Sequence, residues 1–173
     1  YYKDILKKLK EYITSGHIII TIAPGYSIAR TKKELGREAR IIRAMPNTPA
    51  LVGEGMTAYC YVENEITDIE QNEIIQIFSS YGKTIKVKEK DMEAVTATSG
   101  SSPAYAYLFI EAMADAAVSF GLPRDTAYIL AAQSIKGAAQ MVLETKTHPG
   151  QLKDAVCSPG GTTIQAVMKL EET

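Results

Sequence analysis

The chain has 173 residues, 46% of them hydrophobic and 23% charged, with a formal net charge of −1. This is the composition of one globular domain or two small ones; it offers no basic face for nucleic acid, no cationic stripe for a membrane surface and no apolar run long enough to span a bilayer. Cys60 and Cys157 lie far apart with no CxxC pairing, which fits free thiols in a reducing cytoplasm and gives no metal site to expect.

The chain opens on Tyr1-Tyr2-Lys3-Asp4, with neither an initiator Met nor a signal peptide. Ile5, Leu6, Leu9, Tyr12 and Ile13 already follow helical spacing, so residues 3–14 are expected to be an amphipathic helix capped at Ser15-Gly16, and the text to begin inside a fold. His17 to Ile22 is short, apolar and β-branched, as in a buried parallel strand. Ala23-Pro24-Gly25 is a loop, and Ser27 to Leu35 a polar helix closed by Gly36. Arg40 to Met45 is a second strand, stopped by Pro46-Asn47-Thr48-Pro49. Thr57 to Val62 alternates as a strand, Asp68 to Ser80 carries Ile69, Ile74, Ile77 and Phe78 at helical spacing, and Lys83 to Lys88 is an expected edge strand.

Helix–strand alternation over residues 1–91 is the mark of an α/β layer with a parallel sheet. From residue 92 to 173 no strand is expected. Residues 103–120 are apolar nearly all round, interrupted by Glu111 and Asp115, so this helix must be buried on most sides. Residues 125–144 form a second long helix, with Ile129, Ala132, Ile135, Ala139 and Val142 as its expected inner face and Gly137-Ala138-Ala139 permitting close helix contact. A bundle of about 80 residues is small for burying such a helix, and a partner chain is expected to cover it.

Four segments carry chemistry. Val156-Cys157-Ser158-Pro159-Gly160-Gly161-Thr162-Thr163 feeds the apolar-periodic stretch Ile164, Val167, Met168, Leu170, a loop running into a helix N-terminus. Free N–H groups and the helix dipole there favour an anion, most simply a carboxylate; a capped surface helix would read the same way. Arg43-Ala44-Met45-Pro46-Asn47-Thr48-Pro49 ends a strand, where ligands bind in open α/β sheets. The Asn47 amide suits the carboxamide of a nicotinamide ring, or equally a rigid turn with an Asx hydrogen bond. Ile22-Ala23-Pro24-Gly25 also ends a strand. In Thr98-Ser99-Gly100-Ser101-Ser102-Pro103-Ala104-Tyr105 the hydroxyls are best read as an N-cap, by Ser101 or Ser102. His17 and His148 have no evident catalytic role.

Together these segments resemble the pyrroline-5-carboxylate reductase family. Pro149 to Glu171 matches its signature stretch without a break, Met45 to Pro49 its Met-Pro-Asn-Thr-Pro element, Thr21 to Gly25 its first strand-to-loop turn, and Ser99 to Tyr105 its Ser-Gly-Ser-Gly-Pro-Ala-Tyr element. The resemblance implies the second half of a Rossmann-type parallel sheet (1–91) followed by a C-terminal helical dimerisation and substrate domain (92–173). It implies hydride transfer from NADPH or NADH to the C=N carbon of 1-pyrroline-5-carboxylate, giving proline, in a homodimer or higher homo-oligomer. A protonated cyclic imine is already electrophilic, so placement of the nicotinamide against it is the main requirement.

On that reading Gly160, Gly161, Thr162 and Thr163 hold the substrate carboxylate through backbone N–H groups, Ser158 shapes the loop, and the Thr163 hydroxyl serves the imine nitrogen. Ala23, Pro24, Met45, Pro46 and Asn47 line the nicotinamide end. Lys153 either adds charge near the carboxylate or forms a solvated pair with Asp154. Three departures stand out: Ser102 replaces a Gly, Pro24 replaces a small residue and removes an N–H, and no GxGxxG phosphate turn is present. A βαβ unit needs about 30 residues, so roughly 60 to 100 residues of a first half-domain, and a final helix, are expected outside this sequence. Two alternatives remain at this point: a hydroxy-acid dehydrogenase using Lys136, and a non-catalytic helical oligomerisation module.

Overall fold

The computed structural model describes residues 1–172. It divides into two compact units, Tyr1–Tyr105 and Ala106–Thr173.

In the first unit, helix α1 (Tyr2–Leu9) precedes β1 (Ile18–Thr21), α2 (Ile28–Leu35), β2 (Arg40–Met45), β3 (Gly55–Tyr61), α3 (Asp68–Ser79) and β4 (Gly82–Lys86). Helix α1 stops earlier than its spacing suggests. The chain then turns through Thr14, whose N–H donates to His17 Nδ1 at 3.0 Å, while Ile13 stays buried against Leu6 and Leu35. Helix α2 has the expected ends: Ser27 Oγ accepts from Arg30 N–H at 3.1 Å, and Gly36 takes the left-handed conformation (φ 69°). A Thr67–Glu70 capping box starts α3.

The strands lie in the order β1-β2-β3-β4. β1 runs parallel to β2 and β3 parallel to β4, so two of the three pairs are parallel as expected. The central pair, β2 and β3, is antiparallel, with Met45 opposite Ala58 and Ile42 opposite Tyr61. The connections explain the difference. A helix links β1 to β2 and another links β3 to β4, whereas Pro46–Glu54 holds only the 3₁₀ turn Thr48–Val52, too short for a crossover. One edge of the sheet therefore gathers the C-terminal ends of β1 and β2 and the N-terminal ends of β3 and β4.

Helices cover both faces, which is why β2 reads as a continuous apolar run. Ile41, Met45, Ala58 and Cys60 pack with Ile28 and Met92 on one face; Ile42, Ala44 and Tyr59 pack with Ile74 and Phe78 of α3 on the other. β4 is an edge strand as expected. β1 is less buried than expected, with Ile20 and Ile22 exposed, because a second strand pairs with it on one side only. α4 (Met92–Val95) and a π turn at Thr96–Gly100 follow β4. Met92 is fully buried against Ile28 and Ile41, which keeps residues 92–105 with the first compact unit.

The remaining helices are α5 (Ser102–Ser119), α6 (Arg124–Thr145), α7 (Pro149–Ala155) and α8 (Thr162–Glu171), with no strand among the described residues after β4. Neither Ser101 nor Ser102 caps α5. Ser102 Oγ donates to the Ser99 carbonyl at 3.5 Å, and Ala104 N–H donates to the Ser101 carbonyl. In the second unit the expected inner face of α6 is not the one used. Ala127 and Ala131, one turn apart, pack on Ala114 of α5, while Ile129 is 69% exposed. A Cβ on Gly137 would meet no described atom within 4 Å beyond its own stretch of helix. Bulky apolar side chains mark the expected face of α6, but its small residues permit the closest approach to α5 and take the contact. His148 Nδ1 accepts from Gly150 N–H at 3.1 Å, an N-cap for α7 and a structural role, like that of His17.

Candidate active site

The sheet edge where β1 and β2 end opens into a cleft of about 650 Å³, mostly apolar, walled by Ile22, Pro46, Ala50, Leu51, Tyr81 and Gly100, with Asn47 and Thr48 as its polar members. Of the residues expected at a nicotinamide end, Pro46 and Asn47 line this cleft. Ala23 and Pro24 do not, and Pro24 is solvent-exposed. Met45 also does not line it. At 5% exposure it points into the core, where its sulfur lies 3.6 Å from where a Cβ on Gly100 would sit.

Sequence reading missed Ile22, Tyr81 and Gly100 as wall residues. Tyr81 was beyond reach because its arrival at this edge depends on the antiparallel β2–β3 pair; it packs its ring edge-on against Phe78. Asn47 makes no Asx turn. Its Oδ1 accepts from Met56 N–H at 2.8 Å and its Nδ2 donates to the Ser99 carbonyl at 3.2 Å. The residue two positions on is Pro49, which has no N–H to offer.

Beneath the sheet, Arg43 is buried at 4% exposure. Its guanidinium reaches Glu93 at 2.9 Å and Glu89 at 3.7 Å. Glu89 in turn accepts from Ile28 N–H at 2.6 Å, the first amide of α2. Burial pushes the neighbouring Cys60 thiol up to about 11, with Glu89 adding to the rise. A larger cleft of about 840 Å³, formed by Cys60, Tyr61, Glu63 and the Lys86–Asp91 segment, is mostly charged and brings together no nucleophile–base pair. Cys60 within it is protonated at neutral pH, so we give this cleft no catalytic role.

In the second unit, Ser158 to Thr163 forms a tight turn into α8. Gly160 is left-handed (φ 69°) and Gly161 N–H donates to the Ser158 carbonyl at 3.0 Å. Gly161 is the N-cap residue, and no side chain caps the helix. A Cβ on Gly161 would lie 2.4 Å from Ser158 Oγ, so Ser158 and Gly161 shape the loop together. Because Gly161 N–H is engaged within the turn, it is not a free donor for a carboxylate. The uncapped first-turn amides are those that follow, from Thr162 and Thr163, both solvent-exposed. Lys153 pairs with Glu171 at 2.6 Å rather than with Asp154, and Glu171 holds the ammonium above its ordinary range. Lys136 is exposed on α6. Among the described residues no group of His, Cys, Asp or Glu is arranged to hold a metal ion.

Residues 89–173 match a family model described as pyrroline-5-carboxylate reductase dimerisation. The crystal structure of Plasmodium falciparum pyrroline carboxylate reductase with NADP bound superposes with a TM-score of 0.90 at 40% identity, covering 98% of this chain and 68% of that one. The chain belongs to the pyrroline-5-carboxylate reductase family. The Escherichia coli pyrroline-5-carboxylate reductase is 47% identical over 168 residues, and that of Glycine max 46% over 169. These two alignments cover 97% and 98% of this chain but only 62% and 61% of the relatives, so the chain spans a little over three-fifths of the curated family members it matches. Two departures from the family pattern are accommodated locally. Pro24 sits in an exposed loop, and Ser102 enters α5 with its hydroxyl on the Ser99 carbonyl. No helix among the described residues is long and apolar enough to cross a membrane.

Proposed function

We propose that the protein containing this chain reduces 1-pyrroline-5-carboxylate to proline with NADPH or NADH, as the final step of proline synthesis in a reducing cytoplasm. The observation that carries this reading is the uncapped, glycine-turned start of α8, lying inside the stretch that matches the family model. A helix N-terminus whose N–H groups have no side-chain cap favours a carboxylate. Thr162 and Thr163 N–H hold that group, Ser158 and Gly160 keep the turn open to it, and the Thr163 hydroxyl hydrogen-bonds the imine nitrogen and relays to it a proton from solvent, itself ending as the hydroxyl; hydride addition to the ring carbon then leaves that proton on the product amine.

The cleft at the β1/β2 edge fits the nicotinamide end of the cofactor: a flat ring lies against Ile22, Pro46 and Leu51, with Thr48 at its polar margin. The cofactor, when bound, supplies the hydride. A homodimer or higher oligomer through the C-terminal helices is supported by the large apolar side chains that α5 and α6 leave uncovered, Leu108, Phe109, Phe120, Ile129 and Leu143 among them.

The test is NADPH oxidation by the full-length protein with 1-pyrroline-5-carboxylate, compared with Thr163→Ala. The variant should lose about 100-fold in kcat/KM for the imine while its cofactor Kd changes less than twofold. Equal losses in both would remove Thr163 from the reaction. No imine-dependent oxidation by the unaltered protein would remove the function.

A further inference from the structure

We propose that Asn47 is a positioning residue that sets the nicotinamide cleft by tying three chain segments together, and that it is not a ligand of the ring; this rests on the cleft being the nicotinamide site. The β2–β3 register places Met45 opposite Ala58, so extending it by two positions sets Asn47 opposite Met56. β2 stops at Met45, and the Asn47 carbonyl accepts from Ala50 N–H at 3.2 Å in the 3₁₀ turn instead of serving the ladder. The side chain substitutes for the backbone: Asn47 Oδ1 takes the Met56 N–H at 2.8 Å.

The other end of the same amide reaches 52 positions along the chain to the Ser99 carbonyl. That carbonyl lies in the π turn closed by Ser101 N–H on the Thr96 carbonyl at 2.8 Å. Gly100, the next residue, is a wall of the cleft. One planar amide therefore fixes the spacing between the end of β2, the start of β3 and the π turn. A donor–acceptor pair with both ends on backbone partners is held in one rotamer, and reorienting toward a ligand would leave Met56 N–H unpaired or the Ser99 carbonyl with only the 3.5 Å bond from Ser102 Oγ.

The experiment uses the full-length enzyme with Asn47→Ala and Asn47→Asp. Aspartate keeps the acceptor for Met56 N–H and loses the donor to Ser99, so it separates the two arms while retaining the β3 contact. Both variants should raise the cofactor KM about tenfold and change kcat less than threefold. Hydrogen exchange at Met56 N–H should quicken only in Asn47→Ala, and exchange at Ser101 N–H in both.

The deciding comparison is a reduced cofactor whose ring carries an acetyl group in place of the carboxamide. A positioning role predicts the same fold penalty with this analogue; recognition of the carboxamide N–H₂ by Asn47 Oδ1 predicts that the penalty disappears, which would overturn the proposal. An unchanged cofactor KM in Asn47→Asp would also overturn it. Failure of the proposed function registers separately, as absence of turnover in the unaltered enzyme, while unchanged Met56 and Ser101 exchange in Asn47→Ala would refute the tie without any cofactor.

Discussion

The two units bury different things. The first packs Leu6, Leu35, Ile41, Ile42 and Met92 to 1% exposure or less around a sheet covered on both faces. The second buries three alanines, Ala114, Ala127 and Ala131, and leaves Phe120 at 89% and Leu108 at 68% exposure. Apolar burial is the dominant favourable term in folding, so the α/β unit carries its own stability, whereas the helical unit presents its largest apolar side chains outward for a second surface to cover. Similar hydrophobic content thus builds a core in one unit and an exposed apolar surface in the other.

The comparison breaks most sharply at the β3–β4 crossing. Gly82 has φ 153°, and a Cβ there would lie 2.0 Å from the Gly55 carbonyl oxygen, a backbone atom with nowhere to move. Gly82→Ala should cost about 3 kcal/mol or more and unfold the first unit at lower denaturant while α5–α8 keep their helical signal. Leu35→Ala, at a fully buried site, should cost about 3 kcal/mol, independent of protein concentration. Leu108→Glu should do the reverse: it should weaken self-association by about 2 kcal/mol in analytical ultracentrifugation and leave the dissociated chain as stable as before. A concentration-independent loss from Leu108→Glu would mean that α5 is covered within its own chain. Thr67→Ala removes one arm of the α3 capping box and should cost about 1 kcal/mol.

One effect appears only at high pH, through Cys60. Its thiol is held above the ordinary value of 9.0, at about 11, by burial. The folded state therefore binds the proton more tightly than the unfolded chain. The contribution is complete below about pH 9 and is lost as pH rises through about 11. Alkylation at pH 8 should accordingly label the less buried Cys157 first and Cys60 only on unfolding.

Much of this was legible in the residues. The ends of α2 follow from Ser27 and Gly36, the start of α3 from Thr67, and the glycine turn into α8 from Gly160, because each is local chemistry. What required tertiary information resisted. Strand direction is not encoded in an apolar run, so the antiparallel central pair, and with it the arrival of Tyr81 at the cleft, was hidden. Met45 looked like a site residue because it adjoins Pro46, yet alternation along β2 turns it to the core. Asn47 offers the same donor and acceptor to a ligand or to backbone, and only geometry reveals which partners it has. On α6, the alanine stripe lost to Ile129 and Ile135 in any ranking by hydrophobicity, although closeness of approach decides the packing.

The carboxylate of Glu89 rests on the leading amide of α2 while Arg43 neutralises it from below. The positive end of that helix is thereby plugged by the protein itself. A phosphate reaching that turn meets an amide already taken where an open βα turn would offer a cradle, and it would have to displace an internal hydrogen bond to bind. On the proposed reading, α2 gives the cofactor's phosphates no cradle, and what this sheet edge offers the cofactor is the ring cleft.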